Sequence, residues 1–328
     1  MLDLKRLRNL RLWRRPPGQI AVAELGMRLD YRFPRKTEVV LEGLEHLPRD
    51  RGVFLAMNHT DRYNYWPFQY ALYRAKGQRF TATWVKGKYY EHPLLGAFMD
   101  ATNNIPLPSR GYLLTTSFRA ALGRAPSDAE YRALRDLAGG TLDADAAVAA
   151  GGPALARLID RDGPRERFAE RFEAHFAQMM AEVVRLTRDA LDRFDLHVLV
   201  FPQGTRSKRL SAGHTGLVQM AQHLGREILP IGCNGSDRAY PGSSPFSKGG
   251  RVVYRLGAPL ALDGPELGPY RVSEPFVPFS AEATARHGAA FEAATRVIME
   301  RIDGLLDPEY RFGDQDPASR VSAAKRFV

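Results

Sequence analysis

The chain is poor in cysteine, in long apolar runs and in acidic residues relative to basic ones. Its single cysteine, Cys233, excludes an intrachain disulfide, and no paired Cys/His spacing indicates a zinc site. No uninterrupted apolar run approaches twenty residues, which argues against a membrane span. Against 47 basic residues stand 37 acidic ones, so the formal net charge is +10. Such a surface favours anionic partners: nucleic acid, anionic lipid or phosphorylated molecules.

The first seventeen residues are rich in arginine and carry leucines at helical spacing. No long apolar stretch follows them, so no secretory signal is visible. Leu4, Leu7 and Leu10 would line one face of a short basic helix that ends before Pro16. Two interpretations fit this pattern. The helix either lies on an anionic membrane surface or packs its leucine stripe on its own domain.

Apolar runs of strand length alternate with helical patterns along most of the chain. The runs are residues 37–41, 52–57, 80–85, 198–201, 227–233 and 252–257. This alternation predicts an α/β fold with a mostly parallel central sheet flanked by helices. Residues 118–195 read as a helical insertion that ends in a long amphipathic helix. We therefore predict a basic amphipathic segment (1–36), one domain containing the insertion (37–306), and a loosely held polar tail (307–328).

Two of the apolar runs lead into polar turns. The first ends at Asn58 and His59, and the second continues into residues 201–207, Phe-Pro-Gln-Gly-Thr-Arg-Ser. Open α/β sheets place their ligands at the carboxyl ends of buried strands. An imidazole titrates near neutral pH, which makes His59 a candidate general base. A guanidinium binds phosphate oxygens bidentately, which suits Arg206. The two turns together indicate a base that faces an anion-binding pocket.

Four blocks of sequence together resemble the PlsC-like glycerolipid acyltransferases, the lysophosphatidic acid acyltransferase type. The family's Asn-His block, with an Asp five residues after the histidine, stands here as Asn58-His59-Thr60-Asp61-Arg62-Tyr63-Asn64. The apolar block ending in Arg matches residues 105–110. The block Phe-Pro-Glu-Gly-Thr-Arg-Ser matches residues 201–207 with one change, and the strand with a central proline matches residues 228–231. The resemblance spans roughly residues 37–260.

The resemblance implies a glycerol-3-phosphate acyltransferase-like fold and an acyltransferase of the 1-acylglycerol-3-phosphate O-acyltransferase type. A fatty acyl group would pass from acyl-coenzyme A or acyl carrier protein to a hydroxyl of a glycerolipid such as a lysophospholipid. His59 would be the general base, and Arg110 and Arg206 would hold a phosphate. Further substrate-binding candidates are Lys86, Gln203, Gly204, Thr205 and Ser207. Backbone N–H groups near Gly204 or Pro230 would bind the oxyanion. The chemistry requires no metal and no cofactor besides the acyl thioester.

Two residues depart from the family pattern. Asn64 stands where the family has an aspartate, which orients the imidazole and stabilises its charged form. In the serine-protease triad, the same exchange of aspartate for asparagine costs about four orders of magnitude in rate. Asp61 could replace the missing charge if its turn presents it inward; otherwise it faces solvent beside Arg62. Gln203 stands for a glutamate and leaves the identity of the acceptor open.

Three functions remain in competition at this point. The first is an active acyltransferase, peripheral on the cytosolic face of a membrane. The second, motivated by Asn64 and Gln203, is a relative that binds lipid or acyl thioester without turnover. The third, a nucleic-acid-binding protein, is supported only by the net charge, and no recognised motif accompanies it; we expect no nucleic-acid partner. The aromatic stripe of the long helix either packs in the core or lines a groove for an acyl chain.

Overall fold

The computed structural model describes residues 2–313 and is built around a seven-stranded sheet. The strands are β1 (Thr37–Glu42), β2 (Phe54–Met57), β3 (Thr81–Lys86), β4 (Asn104–Leu107), β5 (His197–Val200), β6 (Ile228–Asn234) and β7 (Gly250–Leu256). Their order across the sheet is β1-β7-β6-β2-β5-β3-β4. All neighbouring strands are parallel except β6 and β7, which run antiparallel. The predicted mostly parallel α/β sheet is confirmed.

Helices cover both faces of this sheet. They are α1 (Leu4–Asn9), α2 (Pro17–Ala21), α3 (Arg28–Asp30), α4 (Tyr65–Arg74), α5 (Pro93–Ala101), α6 (Arg110–Leu122), α7 (Asp128–Ala138), α8 (Ala144–Gly151), α9 (Pro153–Ile159), α10 (Phe168–Arg188), α11 (Gly216–Leu224), α12 (Ser236–Ala239) and α13 (Ala281–Gly304). A π-helical stretch, Val22–Met27, joins α2 to α3, and a second, Asp189–Arg193, extends α10. Short 3₁₀ turns lie at Leu44–His46, Gly87–Tyr90, Arg165–Arg167 and Gly268–Tyr270.

β2 lies in the middle of the sheet and is buried on both faces. Phe54 and Ala56 belong to the larger hydrophobic cluster, whereas Leu55 and Met57 belong to the cluster on the opposite face. A strand with two covered faces alternates in this way. β5, β3 and β4 follow β2 to one side and run parallel to it. The loops after these four strands therefore lie in a row along one edge of the sheet.

The helical insertion begins earlier than predicted. α6 starts at Arg110, directly after β4, whereas the sequence indicated helix only from residue 118. Ser109 caps α6, because its hydroxyl accepts a hydrogen bond from the Tyr112 N–H at 3.1 Å. At the start of α7, Ser127 and Glu130 form the reciprocal capping box that the sequence predicts. The first turn of α6 therefore brings Arg110 to the same sheet edge as His59.

α10 buries the aromatic and aliphatic stripe that the sequence predicts. Phe172, Phe176, Met179 and Val183 are all at most 8% exposed and lie in the larger core cluster. These side chains pack with residues of β2, β3 and β5 in that cluster. Of the two interpretations of the stripe, core packing is the one that the structure shows.

The N-terminal segment packs on its own domain and does not project. Leu7 and Leu10 are buried in the larger core cluster, where α1 lies against α10. The Arg6 guanidinium bonds to the Asp100 carboxylate at 2.5 Å, and Arg185 of α10 donates to the Leu7 carbonyl at 3.3 Å. The leucine stripe therefore serves the fold, and the interpretation in which this stripe lies on a membrane is wrong.

The beginning of the C-terminal tail is also held in place. Tyr310 is fully buried, and its hydroxyl donates to Asp237 at 2.6 Å. Its carbonyl accepts a hydrogen bond from the Leu210 N–H at 2.8 Å. The prediction of a loosely held tail is wrong for residues 307–313, and its remainder, residues 314–328, lies outside the described residues. Between residues 2 and 313, no helix has the length and apolar content needed to cross a membrane.

Candidate active site

His59 lies in the loop after β2, and the loop after β5 holds its backbone on both sides. The Gln203 side-chain oxygen accepts a hydrogen bond from the His59 N–H at 2.9 Å. The His59 carbonyl accepts one from the Ser207 N–H, also at 2.9 Å. The imidazole stacks on the Phe201 ring, with centroids 4.1 Å apart and planes 18° from parallel. The Asn-His block and the block at residues 201–207 thus form one unit around the imidazole.

Asn64 orients the His59 ring. Its Oδ1 lies 3.0 Å from His59 Nδ1, and its Nδ2 donates to the Asn58 carbonyl at 2.8 Å. Because that carbonyl can only accept, it fixes the amide with Oδ1 toward the imidazole. Nδ1 must then carry the proton, and Nε2 keeps its lone pair free. The neutral amide therefore selects the tautomer that a general base needs.

The support of the base extends into two further strands. The side chain of Asn58 pairs with the backbone of Cys233 in β6: its Nδ2 donates to the carbonyl at 3.0 Å and its Oδ1 accepts from the N–H at 2.7 Å. Asn64 is fully buried, and its carbonyl accepts the hydroxyl of Tyr254 in β7 at 2.5 Å. Burial raises the pKa of the Cys233 thiol, which fits a core residue and not a nucleophile.

Burial lowers the pKa of His59 from 6.5 to about 4. Its hydrogen bond to Asn64 opposes this shift, and the positive charges of Arg206 and Lys86 add to it. No hydrogen bond or ion pair joins the imidazole to a carboxylate within the described residues. The imidazole is therefore neutral at physiological pH and ready to accept a proton.

Asp61 does not take the place of the missing aspartate. Its Oδ1 accepts the Tyr63 N–H at 2.8 Å, and its Oδ2 accepts the Thr60 hydroxyl at 2.9 Å. An aspartate that bonds the backbone two residues on closes an Asx turn, which directs its carboxylate into its own loop. Burial raises the pKa of Asp61. The hypothesis that Asp61 supplies a charge to His59 finds no support, since the side chain bonded to His59 Nδ1 is that of Asn64.

The side chain of Gln203 bonds to the His59 backbone and to other groups of the protein. The sequence predicted a substrate-binding residue at this position. Gln203 is 3% exposed. Besides accepting from His59, its Nε2 donates to Ser211 Oγ at 3.2 Å and to the Arg209 carbonyl at 3.4 Å. A glutamate would lose both donors and would place a charge against that carbonyl. The neutral side chain is the one that this environment accommodates.

Gly204 forms a left-handed turn that a side chain would obstruct. Its φ is +65°, and an added Cβ would lie 2.7 Å from Cδ2 of His214. His214 thus covers the turn from outside. Burial lowers the pKa of this second imidazole, and the nearby Lys86 charge lowers it further. Both effects favour the neutral form of His214.

The backbone around Gly204 offers candidate donors for an oxyanion, but not the Gly204 N–H itself. That N–H bonds to the Phe201 carbonyl at 3.0 Å, and Pro230 has no N–H. The N–H groups of Thr205 and Arg206 find no acceptor among residues 2–313. Of the N–H groups near Gly204, those of Thr205 and Arg206 therefore remain the candidates.

Two cations beside His59 have no acidic partner in the described part of the chain. Arg206 is exposed in the turn after β5, and Lys86 is exposed at the end of β3. Burial lowers the pKa of Lys86, and the charges of Lys88 and Arg206 add to the effect. Cations that repel one another without a counter-ion in the protein favour an anionic ligand.

Arg110 is placed differently. Its Nη1 and Nη2 lie 2.5 and 2.9 Å from the two carboxylate oxygens of Glu173, and its guanidinium lies 4.4 Å from the ring centroid of Phe176. β4 is three strands from β2, about 14 Å at the usual strand spacing. The structure thus brings the residues 203–207 and Lys86 to His59, and holds Arg110 at the outer end against α10.

Sequence reasoning missed three contributors to the site. Phe201 and Asn58 belong to the blocks, but their contacts with the imidazole and with β6 carry no signal in a single sequence. Glu173 lies in the amphipathic helix with nothing to distinguish it from other exposed acids. No group of three or more His, Cys, Asp or Glu side chains within residues 2–313 is arranged to hold a metal ion.

Comparison with protein families supports the resemblance over part of the chain. The family model described as Acyltransferase matches residues 159–234, which is well under half of the 328 residues. This segment contains β5, the turn at residues 201–207 and β6, and it excludes His59 and Arg110. The resemblance to acyltransferases drawn from the sequence blocks is therefore confirmed for the half of the site that follows α10.

Two further comparisons give no additional support for the family. The comparison with curated proteins gave no match. Among solved structures, the chain is similar to the crystal structure of the 1-acyl-sn-glycerophosphate (LPA) acyltransferase PlsC from Thermotoga maritima, at 16% identity, covering 91% of this chain and 86% of that one. The TM-score is 0.41, too low for this likeness to support an inference.

Proposed function

We propose that the chain transfers a fatty acyl group from acyl-coenzyme A or acyl carrier protein to a hydroxyl of a glycerolipid such as a lysophospholipid. The observation that carries this proposal is the geometry of His59. Its Nδ1 is held by Asn64, and among residues 2–313 its Nε2 has no hydrogen-bond partner and the two cations beside it have no acidic partner. A neutral base next to an anion site fits an acceptor that carries both a hydroxyl and a phosphate.

The reaction would use Nε2 of His59 as the proton acceptor. As the acceptor oxygen attacks the thioester carbon, its proton passes to Nε2, and the carbonyl oxygen becomes an oxyanion. The N–H groups of Thr205 and Arg206 are the proposed donors to that oxyanion. Collapse of the tetrahedral intermediate breaks the carbon–sulfur bond, and the departing thiolate takes the proton back from the imidazolium. The net products are an ester and a free thiol.

The Arg206 guanidinium and the Lys86 ammonium would hold the anionic group of the acceptor. Both follow strands that end at the same sheet edge as β2. Their charges lower the pKa of His59 when the site is empty, so a bound anion would raise it. Acceptor binding would thereby strengthen the base. The hydroxyls of Thr205 and Ser207 are additional candidates for contacts with the same anion.

A second candidate function is a binding protein for lipid or acyl thioester without turnover. The observation in its favour is that both side chains that bond His59, Asn64 and Gln203, are neutral amides. With a pKa of about 4, His59 is a weak base, and within residues 2–313 no carboxylate stabilises its imidazolium form. Both properties lower the expected rate of transfer. The amide still selects the productive tautomer, which is why we favour catalysis.

The test is thiol release from long-chain acyl-coenzyme A or acyl carrier protein in the presence of a panel of lysophospholipids. We expect turnover by the wild-type chain and a loss of about 10²–10⁴-fold in His59→Ala. His175→Ala is the matched control, since this histidine lies exposed on α10. Lipid binding without thiol release, equal in wild type and His59→Ala, would instead establish the second function.

A membrane surface is the proposed setting of the reaction, with a contact other than the leucine stripe of α1. The helix from α2 to α3 buries Ala23, Met27 and Tyr31 on one side. Leu25 and Leu29, four residues apart on the other side of this helix, are 76% and 65% exposed, and Phe33, three residues past the end of α3, is 80% exposed. The exposed Arg28 and Arg32 lie among them in the sequence. An apolar stripe with nearby cations suits an anionic bilayer surface.

The membrane contact is tested by sedimentation with phosphatidylglycerol vesicles. The double substitution Leu29→Ser and Phe33→Ser should lower the bound fraction about tenfold, because two exposed apolar side chains no longer enter the interface. Val277→Ser is the control, since Val277 is 66% exposed in a different part of the fold. Equal losses in both proteins would contradict the assignment of this face.

A further inference from the structure

The Arg110 guanidinium is engaged by a bidentate ion pair and by an aromatic ring. Its two terminal nitrogens bond to both carboxylate oxygens of Glu173, at 2.5 and 2.9 Å. The face of the group lies over the ring of Phe176, with 4.4 Å between the Arg110 Cζ and the ring centroid. A planar guanidinium whose two terminal nitrogens bond one carboxylate has few N–H donors and little charge available for a second anion.

The pair of Arg110 and Glu173 lies where the helical insertion meets the strand-end row. This row consists of the loops that follow β2, β5, β3 and β4 along one edge of the sheet. Arg110 opens α6 directly after β4, and Glu173 faces it from α10, 63 residues further along the chain. In the same row, Lys86 and Arg206 have no ion pair within residues 2–313. The row thus contains two free cations near His59 and one neutralised cation at its outer end.

We propose that Glu173 is a specificity-determining residue of the acceptor site. By holding Arg110, it disfavours acceptors that end in a phosphomonoester relative to acceptors whose phosphate is a diester. This inference rests on the proposed function, because it concerns the acceptor of that reaction.

The two kinds of acceptor differ in charge and in the number of terminal oxygens. A phosphomonoester carries about −1.5 to −2 charges at pH 7 and presents three terminal oxygens. A phosphodiester carries one charge and presents two. Because the monoester has more charge and one more acceptor oxygen, it gains more from a third cation than the diester does. Withdrawing Arg110 therefore costs the monoester more binding free energy.

Glu173 competes with the ligand but does not lock Arg110 permanently. The side chains of Arg110 and Glu173 are 22% and 37% exposed, so solvent screens the pair and the carboxylate can exchange for another anion. A pair of this kind changes an equilibrium by up to about fivefold, and not by many orders of magnitude. The effect should be visible as a change in preference between two acceptors.

The first experiment measures binding without catalysis. Titration calorimetry with glycerol 3-phosphate, a water-soluble phosphomonoester, compares the wild type with Glu173→Gln, which keeps the length of the side chain and removes its charge. We expect Glu173→Gln to bind about fivefold more tightly. Glu170→Gln is the matched control: it removes the same charge one turn earlier on α10, where Glu170 pairs with Arg167 in an exposed contact. Its affinity should equal that of the wild type.

The role of Arg110 is isolated by a double variant. In Glu173→Gln combined with Arg110→Gln, the gain in affinity should disappear, since the charge that Glu173 withheld is no longer present. A gain that persists in the double variant, a gain equal to that of Glu170→Gln, or no binding by any variant would overturn the proposal. If Glu173→Gln fails to fold by thermal unfolding, Glu173→Asp, which shortens the reach of the carboxylate, should give a smaller gain of the same sign.

The second experiment measures turnover with lysophosphatidic acid and with lysophosphatidylglycerol. Glu173→Gln should raise the ratio of kcat/KM for the monoester over the diester about fivefold, while Glu170→Gln leaves the ratio unchanged. An unchanged ratio in Glu173→Gln overturns the specificity role. If the wild type transfers no acyl group to any acceptor, the proposed function fails, and the calorimetric comparison still decides whether Glu173 controls the affinity of Arg110 for a phosphomonoester.

Discussion

The centre and the outer end of the strand-end row handle charge in opposite ways. At the centre, His59 is bonded by two neutral amides, and Arg206 and Lys86 lie nearby with no acidic partner in the described part of the chain. At the outer end, Arg110 is neutralised by Glu173 and stacked on an aromatic ring. Both ends carry residues of the sequence blocks that resemble the acyltransferases. The difference shows that an arginine in a matching block is available to a ligand only if its neighbours leave it free.

The strongest test of this contrast compares the two arginines. Arg206→Ala should lower kcat/KM about 100-fold, mostly through KM, because an unpaired guanidinium that binds phosphate is lost. Arg110→Ala should lower kcat/KM less than about fivefold, since Glu173 already neutralises this guanidinium. Steady-state kinetics with one lysophospholipid acceptor measures both. Equal losses at the two positions would remove the distinction between the centre and the outer end.

A charge can also be introduced at the centre. In Asn64→Asp, a carboxylate beside the imidazole should raise the pKa of His59 by about 1–3 units from its value of about 4. The wild type needs a neutral His59, so its kcat/KM should stay level from pH 8 down to about 5 and fall only as the pH approaches 4. The variant should lose activity at a pH about 1–3 units higher.

The same variant should be the stronger base at high pH. Above its raised pKa, Asn64→Asp should exceed the wild-type kcat/KM about tenfold, because base strength rises with pKa. It should also unfold at a lower temperature, because a carboxylate oxygen would face the Asn58 carbonyl that now accepts a hydrogen bond at 2.8 Å. A pH profile identical to that of the wild type would show that position 64 does not act on the imidazole.

Gln203→Glu tests the stability of the centre and not its rate. This change removes the donors to Ser211 and to the Arg209 carbonyl, and the buried charge costs about 1–3 kcal/mol in the free energy of unfolding. Denaturant unfolding measures that loss, with Gln178→Glu, an exposed position on α10, as the control. A destabilisation no larger than that of the control would mean that the neutral amide is not required beneath His59.

The sequence predicts the centre of the row better than its outer end, for a physical reason. The base and the turn at residues 201–207 follow apolar runs whose burial and direction are local properties, so the sheet brings them together without further information. The contact between Arg110 and Glu173 joins residues 63 positions apart and follows no period. Only the packing of α10 on the sheet creates it.

Two other expectations show where an amphipathic or polar pattern is ambiguous. The leucines of α1 read equally well as a membrane face or a core face, and the choice is made by the apolar stripe of α10, against which α1 packs. Asp61 could have faced His59, but its bonds to Thr60 and Tyr63 close a turn within its own loop. Neither the burial of the α1 leucines nor the direction of the Asp61 carboxylate follows from the sequence until the groups that each one contacts are known.

The two backbone bonds at His59 have a consequence for motion. Because the N–H of His59 and the N–H of Ser207 are both bonded between the two loops, neither loop can open alone. In native-state hydrogen exchange, these two loop amides should exchange as slowly as those of the neighbouring strands, and far more slowly than those of Thr205 and Arg206. The chain would then carry its base on a rigid support, and any opening that admits a bulky acyl thioester would come from other walls of the site.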